Sequence, residues 1–131
     1  MIRNLLWAVI AVAVLATAGP GRAESVDVMM AGSVWIRMRC PAGGYTAQQR
    51  AAIVQNRVND LLVLGGFDLD TLRVEIKGAD AVLRAAGKVL VTVDEPTARA
   101  NNTTPELLAH IWAARFRDIY PRIVPTRPVG T

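Results

Sequence analysis

The fold class that this sequence predicts is α+β: a two-layer sandwich with a mainly antiparallel sheet of about four strands and two long helices on one face. Three observations predict it. Short stretches alternate apolar and polar residues with a period of two, while two longer stretches repeat at helical spacing. The turns between the later strand candidates are two or three residues long, which suits antiparallel neighbours rather than crossovers. The order β-(β)-α-β-β-β-α-α brackets a run of strands with helices instead of alternating the two, as a segregated α+β fold requires.

The elements follow in chain order. Val26 to Met30 and Val34 to Cys40 are extended segments around Ala31-Gly32-Ser33. In the second, alternation points Val34, Ile36, Met38 and Cys40 one way and Trp35, Arg37 and Arg39 the other. Pro41 and Gly43-Gly44 then open a turn. Thr46 and Gln49 make a capping box for a helix running to about Leu64, with Ala47, Ala51, Val54, Val58, Leu61 and Leu62 as its apolar stripe. Arg50, Gln55, Asn56, Asn59 and Asp60 fall mostly on the other side, and Gly65-Gly66 is a stop.

Three strands come next: Leu72 to Lys77, Ala81 to Ala85 and Lys88 to Val93, joined at Gly78-Ala79-Asp80 and Ala86-Gly87. Asp94-Glu95-Pro96 starts a short helical turn that ends at Asn101-Asn102. Thr104-Pro105-Glu106 opens the second long helix, with cap, proline at the first helical position and a first-turn acid. Its stripe is Leu108, Ile111, Trp112, Phe116 and Ile119, and Pro121 is expected to end it.

Residues 1–23 read as a secretory signal peptide. Arg3 gives a positive start, Leu5 to Thr17 is an apolar run of 13 residues, and Gly21-Arg22-Ala23 places small residues at the cleavage positions. Ala16-Thr17-Ala18 is an earlier cleavage candidate. A retained anchor is the rival, but the run is shorter than the roughly 20 residues a spanning helix needs. Residues 24–120 are then one α+β domain, and 121–131, with Pro125 and Pro128, a proline-rich tail. Cleavage after Ala23 would leave 108 of the 131 residues, a single domain's length. With 52% apolar and 20% charged residues, that length can bury a core.

Charge and residue inventory exclude more than they suggest. The chain carries 15 basic and 11 acidic residues; two arginines lie in the leader, so the remainder is close to neutral and offers no field for polyanions. No nucleic-acid partner is expected, nor stable membrane insertion once the leader is removed. One cysteine precludes an internal disulfide, and one histidine leaves no zinc spacing. Met29, Met30, Met38, Cys40 and His110 are the soft-ligand set, and Met38-x-Cys40 is a conceivable Cu(I) pair. The same alternation places both sulfurs in the core. Cys40 and His110 are the only thiol–base couple, with His110 on the polar side of its helix. Asp68, Asp70, Asp94 and Glu95 have turn and capping roles. Trp112 and Tyr120 read as core rather than as a ligand cleft. Trp35 and Arg37 are the candidate surface binding residues, because an exposed Trp beside an Arg is a common anchor. Burial of Trp35 under the proline-rich tail is the alternative.

The stretches Tyr45-Thr46-Ala47-Gln48-Gln49-Arg50-Ala51, Asn56-Arg57-Val58-Asn59, Val89-Leu90-Val91-Thr92-Val93 and Thr104 to Ala113 are similar to the extracytoplasmic domain that precedes the membrane part of some MscS-type mechanosensitive channel proteins, notably cyanobacterial-type ones. The likeness spans residues 34–120 and departs at Thr97, where that family often has Asp. It implies the same fold and an extracytoplasmic setting. It carries over no channel activity and no catalytic or binding residue. The expectation is therefore a periplasmic or secreted, non-catalytic envelope module without a cofactor. It would serve binding or assembly with an envelope protein or ligand. A copper carrier or a small hydrolase is the alternative.

Overall fold

Two alanine–glycine pairs close hairpins. In the computed structural model, Ala31 and Gly32 have φ of 44° and 79°, and Ala86 and Gly87 have φ of 51° and 75°. Two successive positive φ values define the tight turn whose twist matches antiparallel strands, and a glycine at the second position takes it without a Cβ clash. The structure describes residues 25–63 and 67–123. The expected signal peptide (residues 1–23), the expected Gly65-Gly66 stop and residues 124–131 of the expected 121–131 tail lie outside the described residues.

The first hairpin joins β1 (Val26–Met30) to β2 (Ser33–Met38). Helix α1 spans Ala47–Val63 and is opened by the expected capping box. Gln49 N donates to Thr46 Oγ1 at 3.1 Å and Thr46 N donates to Gln49 Oε1 at 2.9 Å. A 3₁₀ turn, Leu69–Thr71, leads into β3 (Arg73–Lys77), β4 (Asp80–Ala85) and β5 (Lys88–Val93). The short α2 (Glu95–Ala100) and the long α3 (Pro105–Ile123) are the last elements of the described residues.

The class is α+β with two long helices, as the sequence predicts. The strands, however, divide into two antiparallel ladders, β1-β2 and β3-β4-β5, instead of forming one sheet. Helix α1 packs on β1, β2 and β5, while α3 crosses β2, β3, β4 and β5. The helices thus hold the two ladders together.

Each ladder contains a bulge, and the bulges decide which side chains are buried. Val28 faces Ile36 and Met29 faces Val34, so Trp35 is the extra residue. Two successive residues then share one face: Trp35 and Ile36 are both fully buried, and Val34 is turned out to 41% exposure. The expectation of Trp35 outside and Val34 inside is thereby reversed. In β5, the register slips between the Leu83–Val91 and Arg84–Val89 pairs, leaving Leu90 extra, and Leu90 and Val91 are both buried.

Trp35 sits at the centre of the core. Its Nε1 donates to the Trp112 carbonyl at 2.8 Å, and its ring meets Phe116 edge-on at 5.1 Å. Phe67, Phe116 and Tyr120 extend the aromatic cluster. On α3 the buried stripe is Leu108, Ala109, Trp112, Ala113, Phe116, Ile119 and Tyr120. Ile111, expected on that stripe, is 44% exposed, since the two alanines let the helix settle with the other edge of the stripe inward. The helix also runs two residues past Pro121. A proline in the last turn forfeits one ladder bond without breaking the turns before it.

Candidate functional site

The seam between α1 and the free edge of β5 is where polar groups enter the interior. An unpaired strand edge presents backbone groups that need partners, and α1 supplies them from side chains. Arg50 Nη2 donates to the Thr92 carbonyl at 3.4 Å, and Arg57 Nη1 to the Leu90 carbonyl at 3.3 Å. The two arginines are seven residues apart, two turns of helix on one face; the two carbonyls are two residues apart, on one edge of a strand. Gln55 does the same for β1, accepting from Met29 N at 2.7 Å and donating to Met29 O at 2.8 Å.

Arg50 is only 8% exposed. Besides Thr92, its Nη1 donates to the Cys40 carbonyl at 2.7 Å and to Thr97 Oγ1 at 3.0 Å, and lies 3.7 Å from Cys40 Sγ. Thr97 is fully buried in α2, and its hydroxyl in turn donates to Asp94 Oδ1. Asp94 is the N-cap of α2, and the same Oδ1 accepts from Thr97 N at 2.9 Å. The guanidinium is therefore linked to a carboxylate through one hydroxyl and not directly.

Arg50, Thr92 and Asp94 of this cluster line a cleft of about 300 Å³. Its apolar side is the half-buried Ile53, backed by the buried Met38, Val54 and Val91. Arg50 and Arg57 bring positive charge, and Asp80 and Asp94 negative charge. Tyr45 and Gly43 stand at the rim, on a loop pinned by the Ala42–Tyr45 bridge, with backbone bonds of 2.9 and 3.0 Å. The ion pairs among the described residues are Arg37–Asp27, Arg84–Glu75 and Arg122–Asp118, so none of the four charged groups of the cleft is in one. A second depression of about 380 Å³ continues along the seam past Arg57 to Lys88 and Asp60.

The residues singled out in the sequence are dispersed. Trp35 is a core residue and not a surface anchor, because the bulge turns it inward. Arg37 is exposed and donates to Asp27 at 2.9 Å; that bond and the Asp27 charge raise its pKa above the usual arginine value. Met30 and Met38 are buried. Cys40 lies beyond the end of β2, half-buried, with Sγ 3.4 Å from Thr97 Oγ1. The sulfurs of Met38 and Cys40 therefore do not share a strand face. His110 is exposed on α3. Among the described residues no group of three or more His, Cys, Asp or Glu is arranged to hold a metal ion, and no helix is long and apolar enough to cross a membrane. Asp68 caps the 3₁₀ turn by accepting from Asp70 N at 2.9 Å, and Asp94 caps α2.

Among the charged cleft residues, Arg50 is the one whose face the sequence pattern misassigns. Its charge argued for the outer face, but its spacing from Ala47 and Val54 is that of the buried stripe. That spacing was the available signal. Nothing in the pattern linked it to Thr97 or Asp94, more than 40 residues away.

Over residues 27–120 the chain matches the family described as Domain of unknown function (DUF8459), and it belongs to that family. No curated protein and no solved structure gives a significant match.

Proposed function

We propose that this DUF8459 member is an exported, non-catalytic module of the cell envelope that binds a small ligand in the cleft between α1 and β5. The observation that carries the proposal is the buried guanidinium of Arg50 in the cleft wall, held by three neutral oxygens and with no ion-pair partner among the described residues. A buried charge is expensive unless something compensates it, and a ligand in the cleft would do so. Apolar walls with a few convergent polar groups are the ordinary make-up of small-molecule sites.

Export rests on the leader, with its positive start, apolar run and small-residue cleavage positions. The likeness to an extracytoplasmic domain of MscS-type channel proteins supports the same setting. Two experiments test the two parts. N-terminal sequencing of the protein from its native host should give Glu24, or Gly19 if the earlier site is used; an intact leader in the membrane fraction would refute export. A fragment screen followed by ¹⁵N–¹H chemical shifts should move the amides of Gly43, Tyr45, Thr92 and Asp94. Hits confined to other surfaces would refute the cleft.

A further inference from the structure

We infer that the cleft takes a zwitterion with an apolar side chain: an α-amino acid of the aliphatic or aromatic class. This rests on the cleft being the binding site. The first argument is charge. Arg50 and Arg57 line the cleft together with Asp80 and Asp94, so both signs are present and neither is in excess. A ligand bearing only a carboxylate would bring it toward two aspartates. One bearing only an ammonium would meet two arginines, and a neutral apolar molecule would desolvate all four groups with nothing in return.

The second argument is unused hydrogen-bonding capacity. Both bonds to Asp94 fall on Oδ1, and among the described residues Oδ2 has no partner. Arg50 donates from Nη1 and Nη2, and its Nε–H has no partner among the described residues. A carboxylate fits the guanidinium and an ammonium fits the free carboxylate oxygen.

The third argument is spacing. Arg50 and Asp94 are separated by the single hydroxyl of Thr97, 3.0 Å from Arg50 Nη1 and hydrogen-bonded to Asp94. The Thr97 hydroxyl already fills the gap between Nη1 and Oδ1, so the carboxylate and ammonium of an α-amino acid, one carbon apart, would meet the remaining groups of the same two residues, Arg50 Nε and Asp94 Oδ2. Ile53, half-buried and backed by the buried Met38, Val54 and Val91, would then meet the side chain. At about 300 Å³ the cleft stands at the lower end of small-molecule sites, which run from roughly 300 to 1,000 Å³.

The test is a shift-perturbation titration of the ¹⁵N-labelled protein with L-leucine, L-phenylalanine, N-acetyl-L-leucine and L-leucine methyl ester. At least one free amino acid should move the Gly43, Tyr45, Thr92 and Asp94 amides saturably. Removing the ammonium or the carboxylate should each weaken binding at least tenfold. Asp94→Asn keeps a good N-cap residue, so the fold survives. It should weaken the free amino acid at least tenfold and leave N-acetyl-L-leucine unweakened. Equal binding of the free, acetylated and esterified forms would overturn the zwitterion and leave the cleft reading standing. An absence of cleft shifts with all four would overturn it too, and the fragment screen then decides the cleft independently. Shifts confined to another surface would overturn both.

Discussion

The α3 side of this domain and the α1–β5 seam bury side chains by opposite means. Under α3 the interior is apolar and aromatic: Trp35, Phe116, Phe67 and Tyr120 meet at ring separations of 4.7 to 5.8 Å. Along the seam, the interior is crossed by a guanidinium, a hydroxyl and backbone carbonyls of Cys40 and Thr92. Apolar contact is non-directional and tolerates small shifts. A buried arginine holds only if each partner stays in place. The first region should therefore set how stable the domain is, and the second where its elements lie and what the cleft can hold.

The largest test of that division is Trp112→Ala. Trp112 is 2% exposed in the middle of the α3 stripe, and truncating a buried Trp costs about 3–5 kcal/mol. That is a large share of the roughly 5–15 kcal/mol available to a domain. A urea melt should show the loss, while His110→Ala, on the exposed side of the same helix, should stay within about 0.5 kcal/mol. Equal midpoints for the two would mean that the aromatic side does not carry the stability.

Next in size is Arg50→Met, which keeps a long side chain and deletes the charge. It leaves the Cys40 and Thr92 carbonyls and the Thr97 hydroxyl short of a donor. The expected cost is about 1–3 kcal/mol. Because buried charges are sometimes better replaced by apolar groups, the experiment can go the other way. An unchanged or raised midpoint would show that folding does not need the guanidinium.

Asp94 separates capping from charge. Asp94→Ala removes the N-cap of α2 and should cost about 1 kcal/mol, whereas Asp94→Asn should differ from the parent by a few tenths. The two midpoints in the same melt check this. A loss for Asn as large as for Ala would assign the effect to the charge next to Thr97 and Arg50.

The two regions also differed in how far the sequence disclosed them. Local grammar was sufficient for the elements. The Thr46–Gln49 box, the Asp94 cap, the Pro105 start and the Ala86-Gly87 turn all lie where short-range chemistry puts them. The stripe of α3 was legible except for Ile111, whose exposure depends on how close Ala109 and Ala113 let the helix come. Strand facing failed at Trp35, because a bulge is a property of two strands in register and alternation within one strand carries no sign of it. The division into two ladders was hidden for the same reason. The cleft was the least legible part. It joins residues from β2, α1, β4, β5 and the start of α2, and among its charged residues only Arg50 carried a hint, in its helical spacing, of turning inward.

The smallest effect should have the opposite sign. Tyr120 is 5% exposed and stacked on Phe116 at 5.7 Å with rings 12° from parallel, yet its hydroxyl is buried with no hydrogen-bond partner among the described residues. In the unfolded chain that hydroxyl is hydrated, so folding loses its bonds to water and regains nothing. Tyr120→Phe keeps the ring and its contacts and removes the unmet group. It should leave stability unchanged or raise it by up to about 1 kcal/mol, read as a higher urea midpoint at constant m-value. Arg50, the polar group of the seam, should behave in reverse, since its partners are in place and losing it costs stability. A clear loss for Tyr120→Phe would mean that the hydroxyl has a partner in solution, and the α3 side would then be less apolar than its aromatic packing implies.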